Sequence, residues 1–199
     1  MNIGIDLDGV VYDTENMFRA WSQIFDLKHE KTGILFPEEL KVQKRYAWAQ
    51  ENMQKFLNES VLKVLKNATI MPFAKDVLRA IAKKNKIYLI TSRGLVLKEE
   101  VELTLKRLKR EKIFADSVIF SVKDKLEVCK SKNIDLMIED SFENVEKLAN
   151  GGINCLFYFD TVKKEFKKKN VTEVRNWGDI AVELEKRGLI DSKDIKIEL

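Results

Sequence analysis

Apolar residues recur along this chain with two different periods, and the places where the period changes divide it into elements. A short β-branched run, Ile3-Gly4-Ile5, runs into Asp6-Leu7-Asp8-Gly9, which reads as a buried strand breaking into a loop. From about Glu15 to Asn67 the apolar positions fall at helical spacing with almost no strand signal. Phe18, Trp21 and Phe25 share one helical face, and Trp48, Met53, Phe56, Leu57, Val61, Leu62 and Leu65 predict one long or two consecutive helices. Gly33 and Pro37 mark a turn between the two sets.

From Met71-Pro72 onward, strands and helices alternate. The pattern predicts a helix at Phe73 to Lys84, a strand at Lys86 to Ile90 and a helix at Lys98 to Lys112. A strand at Ser117 to Ser121, a helix at Asp124 to Lys132 and a strand at Asp135 to Glu139 follow. Then come a helix at Phe142 to Asn150, a strand at Ile153 to Phe159 and a last helix at Trp177 to Arg187. Asn150-Gly151-Gly152 is a helix stop, because glycine takes the left-handed conformation cheaply. Strands separated by helices of this length form right-handed βαβ units around a parallel sheet covered on both faces. The expected fold is therefore α/β, a three-layer Rossmann-like sheet with a small helical insertion after the first strand. Its expected boundaries are 1–14 and 70–199 for the core and 15–69 for the insertion.

Composition narrows the class. With 199 residues, 45% apolar and 34% charged, the chain is globular and long enough for one sizeable core with a smaller insertion. A formal net charge of +4 suits an anionic substrate, but the lysines are interleaved with glutamates and do not outline a nucleic-acid surface. The run Lys163-Lys164-Glu165-Phe166-Lys167-Lys168-Lys169 reads as a solvated face rather than a nucleic-acid patch. Cys129 and Cys155 lie in apolar stretches without CxxC spacing, which points to reduced core thiols. No apolar run approaches the roughly 20 residues that span a bilayer, and the first strand begins too early for a signal peptide. These features predict a cytoplasmic protein with neither membrane nor nucleic acid as partner, and leave the oligomeric state, a homodimer included, open.

The polar residues at the strand ends carry the candidate chemistry. Asp6 and Asp8 end the first strand, Thr91 and Ser92 the second, and Glu139, Asp140 and Ser141 the one at Asp135 to Glu139. Parallel strands put these ends on one edge, where open α/β sheets bind ligands, and Lys125 can reach the same crevice. Asp-Gly is also a common loop start, so the first pair taken alone reads equally as a turn. In company, the residue types suit phosphoryl transfer. One carboxylate can be the nucleophile, a second can move protons, a divalent cation can neutralise phosphate oxygens, and a hydroxyl and a lysine can bind the remaining charge. No histidine is needed, and His29, the only one, reads as a solvated helix residue.

Asp6-Leu-Asp8-Gly9-Val-Val, a strand ending in Thr91-Ser92, then Lys125, then Glu139-Asp140 resemble, in order, the four motifs of the haloacid dehalogenase superfamily of aspartyl phosphatases. The resemblance implies that Asp6 is the nucleophile and Asp8 the general acid and base. It also implies that Mg²⁺ is held by the Asp6 carboxylate, the Asp8 backbone carbonyl and Asp140. Gly9, Thr91, Ser92 and Lys125 would bind the phosphoryl group, with Lys123 as the competitor of Lys125. The departure from better-known members is Glu139, where an aspartate often stands. The insertion corresponds to what the superfamily calls a type 1 cap. More narrowly, Asp-x-Asp-Gly-Val-x-x-Asp13, Thr-Ser-Arg93 and Ile-Glu139-Asp140-Ser141 are similar to the cytosolic 5′(3′)-deoxyribonucleotidase group and its bacterial relatives. That likeness implies a nucleoside monophosphate as substrate, with Phe18, Trp21 and Tyr46, and beside them Phe36 and Trp48, as candidates to stack on the base or to form the cap's own core. Arg93 would either neutralise a nucleotide phosphate or pin its loop to Asp13 or a carbonyl. The rivals are a phosphatase of sugar phosphates or another small phosphometabolite, and a non-catalytic binding protein of the same fold.

Overall fold

Six parallel strands form one sheet: β1 (Asn2–Ile5), β2 (Lys86–Ile90), β3 (Ser117–Ile119), β4 (Leu136–Glu139), β5 (Asn154–Tyr158) and β6 (Val171–Val174). Their spatial order is β3-β2-β1-β4-β5-β6, so the chain runs to opposite sides of β1 through β2 and β4. This computed structural model describes residues 1–159 and 166–196. Residues 163–165 of the basic run lie outside them, and Lys167 and Lys169 are exposed.

Period-two alternation divides the sheet's side chains between two cores. Ile3, Ile5, Ile87, Leu89, Leu136, Ile138 and Leu156 point to one face. There they meet Val77, Leu78 and Ile81 of α4 (Ala74–Ala82), Leu108 of α5 (Glu99–Glu111) and Ile180 and Leu184 of α8 (Trp177–Lys186). Ile90, Met137, Cys155 and Phe157 point to the other face, against Cys129 of α6 (Lys125–Ser131) and Val145 and Leu148 of α7 (Phe142–Asn150). At Gly4 the second face is so crowded that a Cβ would sit 2.6 Å from Met137 Sδ. Glycine is what lets central β1 lie under its neighbours. Both cysteines are free and buried, and burial pushes each thiol up to about 12, which leaves them inert at neutral pH.

Three further helices, α1 (Thr14–His29), α2 (Val42–Arg45) and α3 (Gln50–Asn67), lie between β1 and α4. The chain leaves and re-enters the sheet side by side, with Asp13 N–H donating to Thr69 O (2.9 Å) and Met71 N–H to Val11 O (2.9 Å). Phe25, Val42, Tyr46, Trp48, Met53 and Phe56 make a separate small core among these helices. His29 is exposed and rests on Phe25. Among the described residues no helix is long and apolar enough to cross a membrane.

Two elements differ from the sequence pattern. The third strand stops at Ile119 instead of Ser121, because Ser121 takes a left-handed φ of 57° and turns the chain. Edge strand β6 was not expected at all: Val171 and Thr172 are only half-buried and Glu173 is exposed, so the run carries little apolar signal. The helix after it secures the site from below, since Trp177 Nε1 donates to Val10 O at 2.8 Å.

Candidate active site

The groups expected to converge are brought to one edge by the ends of β1, β2 and β4. Asp6 follows β1 directly, and its N–H still donates to Ile138 O (3.0 Å), so its carboxylate is held in register with β4. Lys125, the first residue of α6, is buried and bridges two carboxylates, with Nζ 2.9 Å from Asp6 Oδ1 and 2.6 Å from Glu139 Oε2. Lys123 is exposed. Asp124 caps α6 by accepting from Leu126 N–H and Glu127 N–H, which sets the direction in which Lys125 leaves the helix. Glu139 is fully buried, and its second oxygen accepts from Asn144 Nδ2 (2.9 Å) and Ser141 N–H (3.3 Å).

Asp140 completes the cluster, with one oxygen each of Asp6, Glu139 and Asp140 within 4.8 Å of one another. Both Glu139 oxygens already accept hydrogen bonds, so Asp6 and Asp140 are the carboxylates open to a cation. Counting Asp8, four carboxylates face only Lys125 and Arg93, a formal surplus of two negative charges. Burial, only partly offset by Lys125 and reinforced by Glu139 and Asp8, raises the Asp6 carboxyl to about 7. Burial and the charges of Glu139 and Asp6 hold Asp140 well above the usual carboxylate range. A divalent cation with oxygen ligands removes that penalty, so the donor set fits one.

Asp8 behaves differently from Asp6. Arg93 grips it with both arms: Nε lies 2.9 Å from Oδ2 and Nη2 2.8 Å from Oδ1. Burial alone would raise Asp8, but the guanidinium outweighs it and leaves the carboxyl below its ordinary value. The side-chain hydrogen bonds of Arg93 go to Asp8 and to Thr104 Oγ1, not to Asp13 or a carbonyl.

Thr91 is fully buried and its Oγ1 accepts from Arg93 N–H (3.2 Å), while Ser92 is exposed on the crevice wall. Gly9 donates its N–H to Tyr12 O (2.9 Å) and to Thr14 Oγ1 (3.1 Å). Its necessity is steric. At φ 76°, a Cβ would lie 2.0 Å from Asp140 Oδ2. A crevice of about 290 Å³ opens between the strand ends and the inserted helices, with Asp8, Ser92 and Arg93 at one end and Phe18, Leu57 and Val61 along the wall. Phe18 thus stands where a substrate would pass, but Tyr46 and Trp21 do not line this crevice. Tyr46 is buried, stacked on Trp48 at 4.4 Å and hydrogen-bonded with Ser22 Oγ at 3.2 Å. Trp21 packs beside the same aromatic core with Lys63 Nζ 5.3 Å from its ring. Helical spacing of aromatics cannot separate a stacking platform from an interior, and here the interior took most of them. Sequence reading missed the structural weight of Glu100, whose carboxylate accepts from Gly94 N–H (2.5 Å) and Leu97 N–H (3.0 Å) to shape the loop after β2. A glutamate six residues beyond a glycine at a strand end was the only local signal.

The fold is shared with solved structures. A haloacid dehalogenase-like hydrolase from Streptococcus pneumoniae (SP0104) superposes with a TM-score of 0.68 at 13% identity, over 94% of this chain and 97% of its own. A structure described as a putative β-phosphoglucomutase from Thermotoga maritima gives 0.60 at 22% identity, over 93% and 98%. Sheet order, inserted helices and strand-end carboxylates together define a phosphatase of the haloacid dehalogenase superfamily. Within it, the chain belongs to the family described as 5′ nucleotidase, deoxy (pyrimidine), cytosolic type C protein, whose model matches residues 1–186. It is also similar to the Bacillus subtilis (strain 168) protein named "Putative nucleotidase YqfW", at 24% identity over 179 residues, 89% of this chain and 90% of that one.

Proposed function

We propose that the protein is a Mg²⁺-dependent phosphomonoester hydrolase that works through a phosphoaspartate on Asp6, with (deoxy)nucleoside 5′-monophosphates as its substrates. The observation that carries this reading is the strand-end cluster, in which a lysine-bridged Asp6 and an arginine-held Asp8 have separate surroundings and therefore separate work. As the substrate binds, its negative phosphate favours a proton on Asp8; an Asp6 oxygen then attacks phosphorus, the ester P–O bond breaks, and the leaving oxygen takes that proton. Water then attacks the phosphoaspartate, gives its proton to Asp8, and frees Asp6 and inorganic phosphate. Lys125 keeps Asp6 oriented, and Thr91, Ser92 and Lys125 bind phosphoryl oxygens. Mg²⁺, held by the Asp6 and Asp140 carboxylates and the Asp8 carbonyl, supplies neutralising charge to the phosphoryl group.

On the same reading, residues 15–69 are a cap over a core of 1–14 and 70–199, and the protein works in the cytoplasm. The apolar wall at Phe18, Leu57 and Val61, opposite the polar end at Asp8 and Ser92, suits a substrate with a flat apolar body and one phosphate. A phosphate-release assay over dUMP, dTMP, UMP, AMP, glucose 6-phosphate and phosphoserine tests both levels. Activity is expected with Mg²⁺, lost with EDTA and lost in Asp6→Asn, with nucleotides preferred in kcat/KM. A large preference for glucose 6-phosphate would overturn the nucleotide reading, and activity in Asp6→Asn would overturn the phosphoaspartate.

A further inference from the structure

The geometry points to Arg93 as the positioning residue for the proton-transferring carboxylate, an inference that rests on the phosphoaspartate reading. Arg93 lies two residues beyond Thr91 in the loop after β2 and 85 residues from Asp8, yet it pairs with Asp8 through two nitrogens. Its Nε and Nη2 take one Asp8 oxygen each, and Nη1 donates to Thr104 Oγ1 of α5 at 2.9 Å. Its guanidinium carbon lies 5.1 Å from the centre of the Tyr12 ring. The side chain is 2% exposed, whereas that of Asp8 is 31% exposed. Asp8 is therefore the member of the pair that meets a ligand in the crevice, and Arg93 is the anchor behind it.

A lysine would neutralise Asp8 equally well, but a point charge leaves a carboxylate free to rotate. A planar fork fixes the plane of the carboxylate and both of its oxygens. Proton transfer in either direction needs that control, since the donor oxygen must come within hydrogen-bond reach of one particular ester oxygen. The anchor is itself anchored. Tyr12, Thr104 and the Thr91 hydroxyl, which accepts from Arg93 N–H at 3.2 Å, come from three different elements. With its nitrogens so engaged, Arg93 is not a phosphate ligand: it touches Asp8 rather than the substrate.

The test compares first-turnover cleavage of two esters by rapid mixing. The best alkyl substrate, dUMP on the present reading, leaves as an alkoxide that needs a proton. p-Nitrophenyl phosphate leaves as a stabilised phenolate that does not. Arg93→Lys, which keeps the charge and loses the fork, and Arg93→Ala should each slow alkyl ester cleavage about 100-fold, within the range of a lost general acid. First-turnover release of p-nitrophenolate should fall less than about fivefold, and Asp8→Asn should show the same split. Circular dichroism and thermal melting identify variants that retain the fold, and Arg93→Lys carries the comparison if Arg93→Ala does not. Equal losses on both esters, an unchanged or faster alkyl rate, or a rise in KM alone would overturn the inference while Asp6→Asn stays inactive. Activity in Asp6→Asn would instead overturn the phosphoaspartate reading itself, and this inference with it.

Discussion

The strand-end site and the inserted helices are built on opposite plans. At the strand ends, charged groups are buried and each is fixed by several partners: Lys125 by two carboxylates, Glu139 by a lysine, an amide and a backbone N–H. In the insertion, the aromatic side chains turn inward on one another, and the wall offered to the crevice is mostly aliphatic. Across the crevice it is joined to the strand-end side by exposed ion pairs, Lys41 and Lys44 to Glu143 at 2.8 and 2.7 Å. Buried ion pairs fix the strand-end groups, and a mostly aliphatic surface of the insertion faces the crevice. Substitutions in the two regions should therefore differ in size and kind.

The largest effect is expected at Lys125. Lys125→Met leaves Asp6 and Glu139 buried without their cation, and urea unfolding at pH 8 should show a loss of about 3–5 kcal/mol. The sign with pH follows from the carboxylates. Without lysine the folded value of Asp6 rises further above the unfolded one, so the folded state keeps a proton that the unfolded state has lost. Stability then falls as pH rises through that window, and the deficit should shrink toward pH 5. A loss below about 1 kcal/mol at both pH values would put this site in the same class as a surface ion pair.

Next in size is the response to Mg²⁺. Asp6 and Asp140 have raised folded values, so their contribution to stability without the ion is fully present below the ordinary carboxylate range. It is lost as pH rises through those raised values, about 7 for Asp6. An ion that needs both as carboxylates competes with those protons, and its affinity rises over the same interval. At a hundredfold excess over Kd, Mg²⁺ should stabilise the protein by about 2.7 kcal/mol at pH 8, and by clearly less at the same concentration at pH 5.5. Calorimetry in buffers of different ionisation enthalpy should detect the protons released.

What the sequence made legible follows the same division. Helix Phe142–Asn150 and strand Lys86–Ile90 were readable because each has a strong local period and a clear stop. Asp6 and Asp140 converge because parallel strands share an edge, and Lys125 joins them from the start of α6. The pairing of Asp8 with Arg93 was not readable, since it depends on how two loops turn after their strands end. The gap that Gly9 leaves for Asp140 was not readable either, since it depends on one φ angle and one neighbour. Tyr46 and Phe18 sit in equally apolar surroundings in the sequence, and only packing separates them.

That separation is testable at the scale of a single contact. Phe18→Ala removes part of the crevice wall and should raise KM for the best nucleotide roughly tenfold with little change in stability. Tyr46→Phe removes the hydrogen bond with Ser22 and should cost about 1 kcal/mol in thermal or urea unfolding, with KM within about twofold of wild type. The reverse pattern would return Tyr46 to the substrate and make Phe18 the interior residue.

The smallest effect belongs to Glu143. Its hydrogen bonds to Lys41 and Lys44, with the lysine charges, hold its carboxyl down to about 2, so both pairs persist through the working pH range. Persistence is not strength. All three side chains are about half exposed, and exposed pairs of this kind contribute up to about 1 kcal/mol and are screened by salt. Leu40 and Lys41 border both the crevice and the smaller cavity beside Asp140, so loosening this tether moves the partition between them. Glu143→Gln should raise KM two- to threefold at low salt, about 0.5 kcal/mol, and the difference should vanish by about 0.5 M salt. A tenfold effect that survived high salt would mean that the ion pairs, rather than the apolar wall, govern what the insertion admits.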